Sequence, residues 1–165
     1  QYLVGYLSDK YDRRTVIVIV AFLASIFAVL AVLIGSSFIA LIITTFIFGG
    51  LTVPLYALAI AHTNDFLEKD EMVAASSGLQ LAGGIGLTIG PIIGGLSIDF
   101  VGANGFWIYL FLIHALLGVF GLFRMQVREA VPLDEQGSTV LVSSRATATL
   151  MELYPDAEES IDPVE

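Results

Sequence analysis

This sequence predicts an all-α polytopic membrane protein with four transmembrane helices, and three observations carry the prediction. Of its 165 residues, 56% are hydrophobic and only 14% charged, with a mean hydropathy of +0.86; a water-soluble domain has a different balance. Its uncharged runs are long enough to cross a bilayer, and the basic residues between them all fall on one side.

The spans follow in chain order. A helix rises 1.5 Å per residue, so roughly 20 apolar residues cross about 30 Å of hydrocarbon. From Thr15 to Ala61 there is no Asp, Glu, Lys or Arg. That run is too long for one crossing and divides at Gly35-Ser36-Ser37 into helices at about 15–35 and 38–61. Residues 72–98 form a third uncharged run. The fourth span, at about 106–123, has no Asp, Glu, Lys or Arg, and His114 is its only residue of a type that titrates near neutral pH. Asp99 and the sequence Gly102-Ala103-Asn104-Gly105 read as the turn between the last two spans. Four consecutive helices without a polar face would leave a soluble protein nothing to present to water.

Lys10, Arg13 and Arg14 precede the first span, Lys69 lies between the second and third, and Arg124 and Arg128 follow the fourth. Four crossings bring all of these to one side, while the opposite turns hold no Lys or Arg. The distribution of basic residues assigns that side, with both ends of the chain, to the cytoplasm. Trp107 and Tyr109, just past the outer turn, suit either an interfacial position or ordinary packing.

The net charge of −9 belongs largely to an appendage. Residues 125–165 hold nine acidic residues against Arg128 and Arg145, which leaves only −2 for the first 124. With Pro132, Gly137, Pro155 and Pro163, residues 124–165 read as an acidic cytoplasmic tail, mostly disordered, with a short helix near 146–154. There is no cysteine, hence no disulfide framework and no thiolate chemistry. No metal-spaced cluster, nucleophile elbow or phosphate loop is present, so neither an enzyme nor a cofactor is expected, and no nucleic-acid partner. The chain begins at Gln1 without a signal-peptide pattern, which reads as an internal or C-terminal fragment.

Residues 1–14 read as the end of a preceding helix and a polar loop, Gly5-Tyr6-Leu7-Ser8-Asp9-Lys10-Tyr11-Asp12-Arg13-Arg14. Gly5 permits two helix ends to approach closely, and Asp9 can accept from the free N–H groups of a neighbouring helix N-terminus. Arg13 and Arg14 can bridge to that carboxylate, to backbone carbonyls or to lipid phosphate. The segment resembles the G-x-L-x-D-[KR]-x-[DG]-R-[RK] loop of the major facilitator superfamily. Four helices follow it before the polar tail, so the resemblance implies helices nine to twelve of a twelve-helix bundle, with the missing N-terminal helices of the same transporter as partners. His62-Thr63-Asn64-Asp65 and the run from Asp70 to Gly78 are similar to a YcaD-like branch, which implies a bacterial cytoplasmic membrane.

On the third span, Ala74, Gly78, Ala82, Gly86, Gly90 and Gly94 recur every four residues and form a small-residue ridge for close helix packing. Within it, Gly86 to Gly95 resembles the G-x-x-x-G-P-x-x-G-G signature of antiporter branches, although it stands on the repeat-related helix and not the usual one. Pro91 is expected to bend the helix, and the ridge can serve packing or a moving gate. On the second span, Gly49, Gly50 and Pro54 predict a kink. Thr45, Thr52 and Tyr56 share one face there and, with Gln80, are candidate cavity residues; the alternative is hydroxyls bonded back to the previous turn and helix-to-helix packing. His114 reads as a locally hydrogen-bonded neutral histidine.

The expectation is a secondary active transporter that moves a small-molecule substrate through the lipid bilayer by alternating access, as proton-coupled efflux. Any acidic proton carrier would lie outside this chain. The competing reading is a four-helix membrane scaffold or assembly subunit, which needs basic flanks but not the ordered glycine and aspartates of the loop.

Overall fold

The computed structural model describes residues 2–34, 37–67, 71–127 and 132, and among them every regular element is an α-helix. A short helix, α1 (Tyr2–Lys10), leads into four long ones: α2 (Arg13–Ile34), α3 (Phe38–Asn64), α4 (Met72–Val101) and α5 (Ala103–Val127). All four are long and apolar enough to cross a membrane. The tail after Val127, Pro132 apart, lies outside the described residues, as do Gly35 and Ser36 of the first turn.

The helix ends differ from the expected bounds for local reasons. α2 begins at Arg13 because Asp12 caps it: the Asp12 carbonyl accepts from the Val16 N–H at 3.1 Å. Its carboxylate accepts from the Arg14 N–H at 3.2 Å and the Thr15 hydroxyl at 3.4 Å. This satisfies donors that the first turn would otherwise leave free. α1 runs on through Lys10, so Gly5 and Asp9 stand on helical backbone, and only Tyr11 and Asp12 separate α1 from α2.

The larger correction concerns the turn expected at residues 99–105. Asp99 lies in the last turn of α4, and Gly102 alone separates α4 from α5. Gly102 has φ 84°, a left-handed conformation that glycine adopts without steric cost, so the chain reverses there in one residue. Gly105 makes the tight reversal possible. A Cβ on it would collide with the Ser97 carbonyl, so only hydrogen lets the first turn of α5 lie against the last turns of α4.

α2 sits at the centre, packed against α3 on one side and α5 on the other, while α4 lies outside against α5 and touches α3 only lightly. The sequence explains this. Ala21, Ala24, Ser25, Ala28 and Ala31 form a buried stripe down α2, and small side chains let helix backbones approach where no water drives association. On α5, Gly118 and Gly121 answer it: a Cβ on Gly118 would come within 2.9 Å of the Phe22 ring, and one on Gly121 within 2.5 Å of Val18. Val4, Val16, Val20, Leu55 and Leu58 join α1, α2 and α3 in one apolar cluster. Ala24, Ala28 and Phe48 form a second, with Trp107, Leu110 and Phe111 packed on it.

The glycine ridge of α4 is therefore not the tight seam of this chain. Gly90 and Gly94 meet side chains of α5, Tyr109 and Phe106, whereas Gly78 and Gly86 have nothing facing them within 4 Å. Gly49 and Gly50 are likewise open. Both proline-bearing helices are continuous through Pro54 and Pro91; Pro54 is buried, and Pro91 is exposed.

Candidate functional site

Topology brings the start of α2 and the ends of α3 and α5 to one face, and there the polar residues concentrate. Arg13 opens α2 and Asp65 follows the last residue of α3, so the two stand level although 52 residues separate them. The Arg13 Nη1 donates to both carboxylate oxygens of Asp65 at 2.6 Å, and its Nε donates to the Ser8 Oγ at 3.1 Å. The Arg13 and Asp65 side chains are 1% and 3% exposed, and Ser8 is fully buried. One guanidinium thus ties together α1, α2 and α3.

The electrostatics make that tie sensitive to its geometry. Two charges out of water are expensive, and their attraction offsets the cost only while the geometry stays good. Short contacts from Nη1 and the Ser8 hydroxyl on Nε supply that geometry. Separating the helix ends requires water to enter and solvate both charges. The carboxylate expected to meet the arginines is Asp9; its backbone is in the last turn of α1, and its side chain lies outside the described residues. Arg14 pairs with Asp12 at 3.3 Å, and Lys10 lies over the Tyr6 ring, 4.6 Å from its centre.

The polar face of α3 is arranged differently. The Thr45 and Thr52 hydroxyls donate back to the carbonyls of Leu41 at 2.8 Å and Gly49 at 3.3 Å, so both are satisfied within their own helix. Tyr56 crosses to α4, where a Cβ on Gly83 would lie 3.3 Å from its ring. Gln80 lines a shallow groove on α4 with Leu81, Gly84, Ile85, Thr88 and Ile89. The structure brings Tyr56 to α4 but shows no bond joining Gln80 to the threonines. His114 donates from Nδ1 to the Leu110 carbonyl at 2.8 Å, and its ring packs on the edge of Phe48 at 5.1 Å. Trp107 packs edge-on against Phe48 at 5.8 Å, and Tyr109 covers Gly90.

Sequence reasoning assigned no role to Ser8 or Asp65. The signal was topological: Asp65 is the first acid after a long uncharged stretch, and it ends the span that returns to the face where Arg13 begins.

A family model described as Major Facilitator Superfamily matches residues 1–152. No curated protein and no solved structure matches the chain.

Proposed function

This chain belongs to the major facilitator superfamily, and from that premise we propose that it moves a small solute by alternating access, as a secondary transporter running proton-coupled efflux. It is an integral membrane protein of transporter type. The observation that carries the mechanism is the buried Arg13–Asp65 pair at the face where α1, α2 and α3 meet. A buried ion pair is stable in two conditions, closed and dry or open and solvated, and unfavourable between them; this is the behaviour of a gate latch. Asp9, at the same face, is proposed as a second conformational charge and not as a solute ligand. The remaining helices of the bundle, an assignment of this chain to helices nine to twelve, and the YcaD-like branch belong to the same proposal.

The solute path in this reading runs along the side of α3 that carries Thr52 and Tyr56, with Gln80 of α4 nearby. Gly86, Gly90, Pro91 and Gly94, with Gly49, Gly50 and Pro54, are proposed as the surfaces along which helices shift. The test is transport by the full protein in proteoliposomes under an imposed pH gradient, without ATP. Wild type is expected to move solute only while the gradient is imposed, in the direction opposite to the protons. Thr52→Ala with Tyr56→Phe is expected to change apparent affinity at normal expression. Gradient-independent counts and unchanged affinity would refute the coupling and the path respectively.

A cytoplasmic basic face is proposed from the arginine and lysine distribution. Cysteines at Ser37 and Asn104, both exposed at the opposite turns, are expected to react with an impermeant external thiol reagent in intact cells. Reaction only after lysis would invert the topology.

A further inference from the structure

Near the ion pair, the same helix ends form an open cleft of about 360 Å³ lined by Arg14, His62, Thr63, Phe66, Leu67 and Arg124. We propose that it binds the phosphate of an anionic phospholipid headgroup. This site is separate from the solute path, and the proposal does not depend on the direction or coupling of transport.

Four observations converge on that ligand. Guanidinium groups come from two different helices, Arg14 from the first turn of α2 and Arg124 from the last turn of α5, and guanidinium matches phosphate oxygens in geometry as well as charge. The charge balance selects the anion. Arg13 is matched by Asp65 and Arg14 by Asp12, whereas Arg124 has no ion-pair partner among the described residues. Among the described residues the lining therefore carries a surplus of about one positive charge, which suits a phosphodiester monoanion. Position along the helices is the third observation: Arg14, His62 and Arg124 all stand within a few residues of the ends of membrane-length helices, where a helix that spans the hydrocarbon would meet the headgroups. Basic pockets between transmembrane helices at this depth hold anionic headgroups. Finally, Phe66 and Leu67 give the cavity an apolar wall, with Phe66 edge-on to His62 at 5.2 Å, against which glycerol and acyl carbons can lie. A cavity of this volume falls in the range of about 300–1,000 Å³ typical of small-ligand pockets.

The phosphate chemistry is shared by a lipid headgroup and by free phosphate, so the experiment separates them. The full protein is purified, offered equal phosphatidylglycerol and phosphatidylcholine, and examined by native mass spectrometry for retained lipid. Wild type is expected to retain phosphatidylglycerol in preference. Arg124→Gln is expected to lower that retention about fivefold, the effect of one basic residue near an anionic surface. Arg124→Lys should keep most of it, and Lys10→Gln, which removes a cation from the same face outside the cavity, should leave it unchanged. Circular dichroism verifies that each variant is folded. Equal retention by wild type and Arg124→Gln would overturn the site. Displacement of phosphatidylglycerol by millimolar inorganic phosphate would overturn the lipid and assign the cavity to a soluble anion.

Discussion

Arg13→Met and Asp65→Leu are each expected to destabilise the protein by about 3–5 kcal/mol, because each leaves a buried charge without its counter-ion. The double variant is expected to recover most of that loss, since two apolar side chains of similar volume need no solvation. Equilibrium unfolding in mixed micelles measures all three, and the coupling energy of the cycle isolates the pair. Transport should not follow stability. A folded double variant has lost the charges that resist opening at this face, so its cavity should be more accessible from that side and its turnover slower. Single substitutions within about 0.5 kcal/mol of wild type would mean that the pair is solvated and carries no latch. Recovery of both stability and turnover in the double variant would reduce it to a structural contact.

The second large effect is expected at Gly105. A methyl group there would meet the Ser97 carbonyl, and backbone cannot swing aside as a flexible side chain can. Gly105→Ala should therefore force α5 away from α4 and cost at least the upper end of the about 1–3 kcal/mol typical of overpacking. Gly118→Ala should cost less, because its neighbour is the Phe22 ring, which can shift. Gly86→Ala is the control: nothing faces it within 4 Å, and alanine is the better helix former, so the isolated bundle should be unharmed. If Gly86→Ala nonetheless slows transport in the full protein, the open ridge of α4 meets another helix during the cycle. Thermal unfolding of the three variants ranks them, and equal midpoints for Gly105→Ala and wild type would remove the basis for the one-residue turn.

The glycines show where sequence reasoning stopped. A four-residue repeat marks Gly78, Gly86, Gly90 and Gly94 as a packing surface, but the repeat cannot say what lies opposite. Gly105, Gly118 and Gly121 have no such repeat, and yet they make closer approaches than Gly78 or Gly86. Their role depends on Ser97, Phe22 and Val18, which only the antiparallel pairing of α5 with α4 and α2 brings near. The alanine stripe on α2 was more accessible to reading: its spacing of three and four residues marks one helical face, although alanine in an apolar run draws less notice than glycine. The turn at Gly102 is a single residue, shorter than the segment from Asp99 to Gly105 that composition suggests. Left-handed glycine geometry and a missing Cβ three residues later allow a reversal shorter than composition suggests.

The sequence by itself determined the solvent, the four membrane-length helices and the grouping of the basic residues, because these depend on hydrocarbon thickness and on the charges along one chain. It also carried the family, through a loop whose residues are local. Tertiary structure decided what those residues touch. Asp65 was visible as an acid at the end of a span, but a bare carboxylate at a membrane surface can remain solvated. Arg13, Ser8 and the surrounding apolar side chains bury it as one half of an ion pair. Burial is a property of several helices together, and in a low-dielectric site the nearest counter-ion outweighs any preference of the isolated segment.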